Sequence, residues 1–323
     1  MAEAMWLAAV AAATALLACL TTRLLVPVLA RREILDRPNE RSSHRVPTPR
    51  GGGIAVVASV LLAWIVLART EAVPSQVFGI TLGAVLLAAV SWLDDLRSLS
   101  PVVRLLAQAA AVAIGISVLP GPGDLFYLAT IGLVWIWWIN LFNFMDGIDG
   151  LAGSEAAAIG AGLLLFASAG AGVDPALRAL AAALTGAAIG FLVWNWSPSR
   201  IFLGDVGSVP LGYLSGFLLL GVAARGHWRI ALILPLYFLA DATITLTRRI
   251  LRGERVWQAH REHFYQQAVR RGLGHAAVVE RVIAADVVLI GCGWAAENGW
   301  DAVSLAASAA TVAILLTVLA RGS

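Results

Sequence analysis

The sequence predicts an all-α, polytopic integral membrane protein, and three observations carry that prediction. Charged residues make up 13% of the chain and hydrophobic residues 59%, whereas soluble domains average about 25% charged. The mean hydropathy is +0.82. Apolar stretches long enough to cross a bilayer recur along all 323 residues, and the arginines gather in alternate connections between them. This pattern excludes a secreted disulfide scaffold, a nucleic-acid-binding domain and a disordered tail.

A spanning helix needs about 20 mostly apolar residues. Eleven segments fit, at 4–29, 53–68, 77–93, 102–119, 125–142, 154–171, 177–194, 209–223, 230–247, 282–296 and 302–320. The first has no basic leader and exceeds a signal peptide's apolar core, so it is expected to be retained. Arginine placement then sets the orientation. The connection after the first span carries Arg31, Arg32, Arg37, Arg41, Arg45 and Arg50. The connection after the ninth carries Arg248, Arg249, Arg252, Arg255, Arg261, Arg270 and Arg271. Arg97 and Arg200 fall on the same side, while the alternate connections hold only Arg69, Arg178, Arg225 and Arg229. The richer side is read as cytoplasmic, with the N-terminus outside and the C-terminus inside. Trp92, Trp194 and Trp196 are expected at the inner interface, Trp228 and Trp300 at the outer one.

All 23 basic residues are arginine, and the formal charge is +3. The absence of lysine reads as compositional bias, so only the arginines' positions inform. Cys19 and Cys292 both lie in apolar stretches and imply neither a disulfide nor a metal site. Outer connections are short and chemically poor, and no internal repeat is evident. One transmembrane domain over 1–323 is expected, its site built from the cytoplasmic connections 30–53, 94–101, 143–153, 195–208 and 248–280.

Five of these connections carry chemistry. From Asp36 to Gly53, Pro38, Pro47 and Pro49 hold the chain extended before three glycines open a helix, where backbone N–H groups can approach an anion. A positive-inside anchor is the plainer reading of these arginines. Asp94 and Asp95 end the third span, where adjacent carboxylates repel and oppose the helix dipole, so a shared cation is expected there. Asn140, Asn143, Asp146 and Asp149 recur every third residue, which places neighbours on one helix face. These amides and carboxylates supply oxygen ligands for a hard cation, and nothing about crossing a bilayer requires them. Asp205 sits in Phe202-Leu-Gly-Asp-Val-Gly-Ser208 beside a helix start, which suits a metal or phosphate. Asp241 is an intramembrane carboxylate and hence a functional candidate, with Arg248 as its plainer partner. His260 and His263 lack the further ligands that zinc would need.

The inner face therefore gathers Asp94, Asp95, Asp146, Asp149 and Asp205 with Arg50, Arg261 and His263. Carboxylates among arginines fit a magnesium ion bridging a diphosphate, since magnesium uses one or two carboxylates plus substrate phosphates. Arginines would hold the phosphate oxygens.

With these motifs in place, the chain resembles the polyprenyl-phosphate N-acetylhexosamine-1-phosphate transferases of glycosyltransferase family 4. The resemblance rests on Pro47-Thr-Pro-Arg-Gly-Gly-Gly53, Asp94-Asp95, Asn140-Leu-Phe-Asn-Phe-Met-Asp-Gly-Ile-Asp-Gly-Leu-Ala152, Phe202-Leu-Gly-Asp-Val-Gly-Ser208 and Arg261-x-His263. The Asn-x-x-Asn-x-x-Asp-Gly-x-Asp-Gly element is the most specific of these, and the set covers residues 36–266.

The resemblance implies that undecaprenyl phosphate attacks the β-phosphorus of a UDP-N-acetylhexosamine, releasing UMP, in the bacterial inner (cytoplasmic) membrane. It implies Asp94, Asp95 and Asp205 as catalytic residues, with Asp95 the candidate base. Arg50, Asn140, Asn143, Asp146, Asp149, Arg261 and His263 are implied as substrate-binding. Asp205 and Asp149 are implied as ligands of Mg2+, with Mn2+ as a substitute. Expected partners are membrane lipid and a second copy of the chain, and no nucleic acid. The nucleophile's second pKa lies near 6, so catalysis is expected to rest on positioning and charge neutralisation.

The segment His260-Arg-Glu-His-Phe-Tyr-Gln266 resembles the branch that starts O-antigen chains on deoxy-amino sugars, such as N-acetylfucosamine or N-acetylquinovosamine, more than the phospho-muramoyl-pentapeptide branch of peptidoglycan synthesis. A lipid-linked-sugar flippase would place charges near several midplanes. A CDP-alcohol phosphatidyltransferase would need an Ala-Arg pair after its Asp-Gly motif.

Overall fold

The computed structural model describes residues 2–38, 46–70, 72–168, 174–255 and 260–322. The expected loop arginines Arg41 and Arg45, and residues 169–171 at the end of the sixth predicted span, lie outside them. Among the described residues the regular structure is α-helical apart from one ribbon of two two-residue strands and an isolated bridge between Arg50 and Phe202. The helices are α1 (Ala2–Arg31), α2 (Gly53–Arg69), α3 (Val77–Arg97), α4 (Pro101–Ile116), α5 (Leu125–Phe144), α6 (Leu151–Ser168) and α7 (Pro175–Asn195). They continue as α8 (Asp205–Ala223), α9 (Trp228–Ile233), α10 (Leu236–Leu251), α11 (Phe264–Arg270), α12 (His275–Glu297) and α13 (Asp301–Arg321). Six of these (α1, α3, α5, α7, α8 and α13) are long and apolar enough to cross a membrane, and α2, α4 and most of α6 are shorter apolar helices. The chain is a multi-pass, all-α membrane protein.

Each of the eleven predicted spans falls on a helix, with two corrections. The ninth is not one helix. It breaks into α9 and α10 at Leu234 and Pro235, where proline lacks the N–H that would continue the ladder. The tenth, predicted at 282–296, begins at His275, because Glu280 and Arg281 interrupt its hydropathy without interrupting the helix.

The centre of the bundle is α7 and α8, whose most apolar windows are 78% and 89% buried, against 11% for α1. Small residues make this crowding feasible. A methyl group at Gly186 or Gly190 would lie 2.1 Å from the carbonyl oxygen of Ala11 or Ala15 on α1. Buried indoles fasten the layers through their polar tips. Trp135 of α5 stacks on Tyr213 of α8 at 4.8 Å and donates to the Tyr213 carbonyl at 3.0 Å. Trp138 donates to Ser215 Oγ at 3.0 Å, and Trp64 of α2 reaches the Leu180 carbonyl of α7 at 3.1 Å.

The Pro-Arg-Gly-Gly-Gly junction differs from its expected role. Strand β1 (Leu35–Asp36) pairs antiparallel with β2 (Thr48–Pro49). The following glycine N–H groups meet backbone carbonyls rather than an anion. Gly51 and Gly52 donate to Phe202 at 3.2 and 2.8 Å, and Gly53 donates to Leu203 at 2.9 Å. The missing side chains serve packing. A methyl at Gly53 would lie 2.1 Å from Gly207 Cα, so the starts of α2 and α8 touch backbone to backbone. Gly53→Val is therefore expected to destabilise the protein by about 3 kcal/mol or more. Thermal unfolding in detergent, followed by near-UV circular dichroism, checks this, and an unchanged transition would count against the contact.

Candidate active site

The contact between α2 and α8 delivers Arg50 to the first turn of α8. One guanidinium nitrogen, Nη2, lies 2.6 Å from Asp95 Oδ1 and 3.1 Å from Asp205 Oδ1. Asp95 also accepts from the backbone N–H of Asp205 (3.2 Å) and Val206 (3.0 Å). A carboxylate at the end of α3 thus caps the start of α8, satisfying N–H groups that have no partner within the helix. Gly204 permits the approach, since a methyl there would sit 2.9 Å from Asp95 Oδ2 and its φ is +76°. Asn143 completes the cluster from α5, donating to Asp205 Oδ1 (3.2 Å) and Ser208 Oγ (2.8 Å).

Asp94 faces elsewhere. It accepts from the Leu99 N–H at 2.6 Å and pairs with Arg104 at 3.3 Å. The two adjacent carboxylates, expected to share one cation, therefore engage different arginines, because successive helical residues point about 100° apart. Asn140 exchanges hydrogen bonds with Gln108 of α4, at 2.7 and 3.2 Å. A cavity of about 140 Å³ brings together Ser91, Asp94, Arg104, Gln108, Asn140, Asn143 and Asp205, with apolar walls from Leu87, Val90, Leu105 and Val209.

Asp146 and Asp149 follow α5 in a turn. Burial, then the charges of Asp205 and Asp95, outweigh Arg50 and push the Asp146 carboxyl up to about 8. Arg50 responds in the opposite sense. Burial works against its charge, yet Asp95, Asp205, Asp36 and Asp146 more than offset that and hold it above its ordinary value. Asp149, expected as a metal ligand, has both oxygens engaged, by Ser199 Oγ (2.9 Å) and N (3.3 Å) and by His275 Nδ1 (3.2 Å). Burial raises its pKa, and bonds from His275 and Ser199 more than offset this, keeping it below the usual carboxylate range.

On the far side, Arg261 is half-buried and His263 is 2% exposed. His263 Nδ1 lies 3.1 Å from Asp241 Oδ1. Asp241 thus pairs with His263 rather than with Arg248, which sits over the Phe264 ring at 5.1 Å. His260 packs 4.8 Å from His263, and burial, then the charges of His263 and Arg249, push it down to about 4. Nearby, Arg249 and Arg252 pair with Glu254 and Glu262.

The structure therefore joins Arg50, Asp95, Asn143 and Asp205 directly, and sets Asp94 and Asn140 along the adjoining cavity. Arg104, Gln108, Ser199 and His275 escaped sequence reasoning. His275, as one of five histidines, and Arg104, as a charge inside the fourth predicted span, carried a signal; Gln108 and Ser199 are ordinary polar residues until the fold places them.

These features define a multi-pass membrane protein with an acidic, arginine-bearing centre at one end of its helices. The model of "Glycosyl transferase family 4" matches residues 77–223, which span α3 to α8. A "Probable undecaprenyl-phosphate N-acetylglucosaminyl 1-phosphate transferase" of Bacillus subtilis (strain 168) is 27% identical over 275 residues, covering 79% of this chain and 76% of the relative. A "Phospho-N-acetylmuramoyl-pentapeptide-transferase" of Synechococcus sp. (strain JA-2-3B'a(2-13)) is 30% identical over 317 residues, covering 87% and 90%. Its namesake in Synechococcus sp. (strain JA-3-3Ab) is 30% identical over 300 residues, covering 84% and 87%. The chain belongs to glycosyl transferase family 4.

Proposed function

We propose that this protein transfers a phospho-N-acetylhexosamine from a UDP-sugar to undecaprenyl phosphate in the bacterial inner membrane, yielding undecaprenyl-diphosphate-sugar and UMP. The observation that carries the reading is the convergence of Asp95, Asp205 and Arg50 where α3, α8 and the β2–α2 junction meet. Family membership makes a flippase reading unnecessary.

The donor set suits magnesium. Asp95, Asp146 and Asp205 outnumber the single guanidinium among them, an excess of negative charge that a cation would offset. No group of three or more His, Cys, Asp or Glu side chains among the described residues is arranged to hold a metal ion. An ion here would therefore have to complete its shell with substrate phosphates and water, as magnesium does when it takes one or two protein carboxylates. Asp205 and Asp146 would hold it, Asp146 replacing the expected Asp149, whose oxygens are occupied. The ion would neutralise charge on the donor diphosphate.

The chain's own residues do the rest. Asp95 holds Arg50 and the start of α8 in place, and Arg50 faces the phosphate oxygens. Asn143 orients Asp205. The cavity beside Asp94 and Arg104 takes the lipid phosphate at its polar end, with the polyprenyl chain along the apolar walls. Arg261 and His263 face the nucleotide-sugar, and Asp149, tied to Ser199 and His275, fixes the turn that presents Asp146. Because the nucleophile is largely ionised at pH 7, no side chain must remove its proton, and positioning dominates.

Purified protein is expected to release UMP only when a UDP-N-acetylhexosamine, polyprenyl phosphate and magnesium are all present. A panel of UDP-N-acetylglucosamine, the deoxy-amino sugars and UDP-muramoyl-pentapeptide decides the donor. We place the product at the start of O-antigen synthesis; turnover of the muramoyl-pentapeptide alone, the group named in the two Synechococcus relatives, would assign peptidoglycan synthesis instead. No UMP from any donor would end the transferase reading.

A second expectation follows from Asp146. Its folded pKa of about 8 lies above the unfolded value near 3.9, so metal-free stability falls as pH rises between them. Magnesium competes with that proton. The rise in unfolding temperature on adding Mg2+ should be larger at pH 8.5 than at pH 6, and Asp146→Asn should level the difference. Equal increments in the unsubstituted protein would remove Asp146 from the metal site.

A further inference from the structure

We infer that Asp241 is a positioning residue for the donor side of the site, holding the 260–265 segment against the turn that carries Asp146. The inference deepens the transferase reading and rests on it. Asp241 lies on α10 with no exposed surface, yet its carboxylate receives five hydrogen bonds. Oδ1 accepts from His263 Nδ1 (3.1 Å), the Phe264 N–H (3.0 Å) and Thr245 Oγ1 (3.3 Å). Oδ2 accepts from the Tyr265 N–H (3.3 Å) and Tyr237 OH (3.2 Å). A buried carboxylate is costly without donors, and this number of donors both satisfies the charge and fixes its orientation.

Two of those donors are the first N–H groups of α11, which have no acceptor inside their own helix. The carboxylate of α10 therefore sets where α11 begins. The third is His263 Nδ1, which donates to Asp241 in the tautomer that carries its hydrogen there and so turns Nε2 away from the carboxylate. The histidine then closes the turn from its own side, its N–H donating to Gln266 Oε1 at 3.3 Å.

The position passed on by Asp241 reaches the active-site turn. Tyr265, fully buried, donates its phenol to the carbonyl of Phe144 at 2.9 Å, two residues before Asp146. Gly147 makes room, since a methyl there would lie 2.1 Å from the phenol oxygen. A continuous path of hydrogen bonds thus runs from Asp241 through the α11 backbone and Tyr265 to the end of α5. A plain helix cap would need only the two amides. The His263 imidazole meets the carboxylate directly, while Tyr265, bound to it through its backbone N–H, carries the link on to Phe144 with its phenol.

The test uses the full chain in phospholipid nanodiscs, with UDP-sugar and polyprenyl phosphate varied separately and UMP measured. Asp241→Asn, which removes the charge at constant shape, is expected to raise the donor KM at least about tenfold. The KM for polyprenyl phosphate should stay within about twofold, and Asp241→Glu should recover part of the donor affinity. Amide hydrogen exchange at Phe264 and Tyr265 should accelerate in Asp241→Asn while that of α8 does not. An unchanged donor KM, or a donor and lipid KM that rise together, would overturn the assignment.

If Asp241→Asn fails to accumulate in membranes, Tyr265→Phe carries the same test. It cuts only the link to Phe144, and an unchanged donor KM there would be equally damaging. A wild-type protein that makes no UMP from any donor sinks the transferase reading instead. The exchange measurement then still decides whether Asp241 holds the segment.

Discussion

Asp205→Asn is expected to lower turnover by about a thousandfold or more while leaving the protein inserted and folded. The change keeps one oxygen for Asn143 and Arg50, so the packing around the start of α8 loses little. What disappears is the negative charge aimed at a cation and a developing phosphate charge, in a site where such terms are commonly worth about 10²–10³ in rate per group. UMP release at saturating UDP-sugar and lipid phosphate measures the loss, with a thermal unfolding curve as the control for folding. Turnover within tenfold of the unsubstituted protein would take Asp205 out of the metal site.

Asp95→Ala is expected to damage structure and activity together. The substitution strands the Asp205 and Val206 N–H groups and leaves Arg50, one-third exposed, facing Asp205 alone. Two unsatisfied backbone donors and a broken ion pair amount to a loss of about 2–4 kcal/mol. The reaction should become undetectable, because Arg50 and Asp205 both lose the group that aligns them. Asp95→Asn, retaining one acceptor oxygen, should recover most of the stability and little of the rate. That split is the informative result. If alanine and asparagine behaved alike in both measurements, Asp95 would be neither cap nor aligner.

The membrane-spanning pattern was legible because each span must satisfy its own backbone in lipid and so writes its hydropathy into the local sequence. The Asn140–Asp149 ladder and the Gly-Asp-Val-Gly motif were legible for the converse reason: polar residues where lipid would exclude them stand out. The break at Pro235 needed only a closer look at one residue. The helix α11 did not show, since seven residues of mixed polarity carry no readable period.

Partnerships were a different matter. Asp94 and Asp95 are neighbours in the sequence, yet one turns to Arg104 and the other to Arg50 and the start of α8. The glycines of 51–53 suit an anion cradle or a backbone contact equally well until Phe202 and Gly207 arrive from some 150 residues away. Asp149 reads as a metal ligand, and the fold adds Ser199 and His275 as partners that no spacing announces. Asp241 reads as a partner for Arg248, seven residues on, and meets His263 instead.

By itself the sequence determined the architecture, the family resemblance and the stock of chemically active residues, because hydropathy and motif spacing are properties of a single stretch of chain. Only the assembled fold settles which carboxylate meets the arginine, which is spent on capping or anchoring, and which is buried among other negative charges. Those outcomes depend on burial and on charges brought together from distant segments, and no local pattern encodes them.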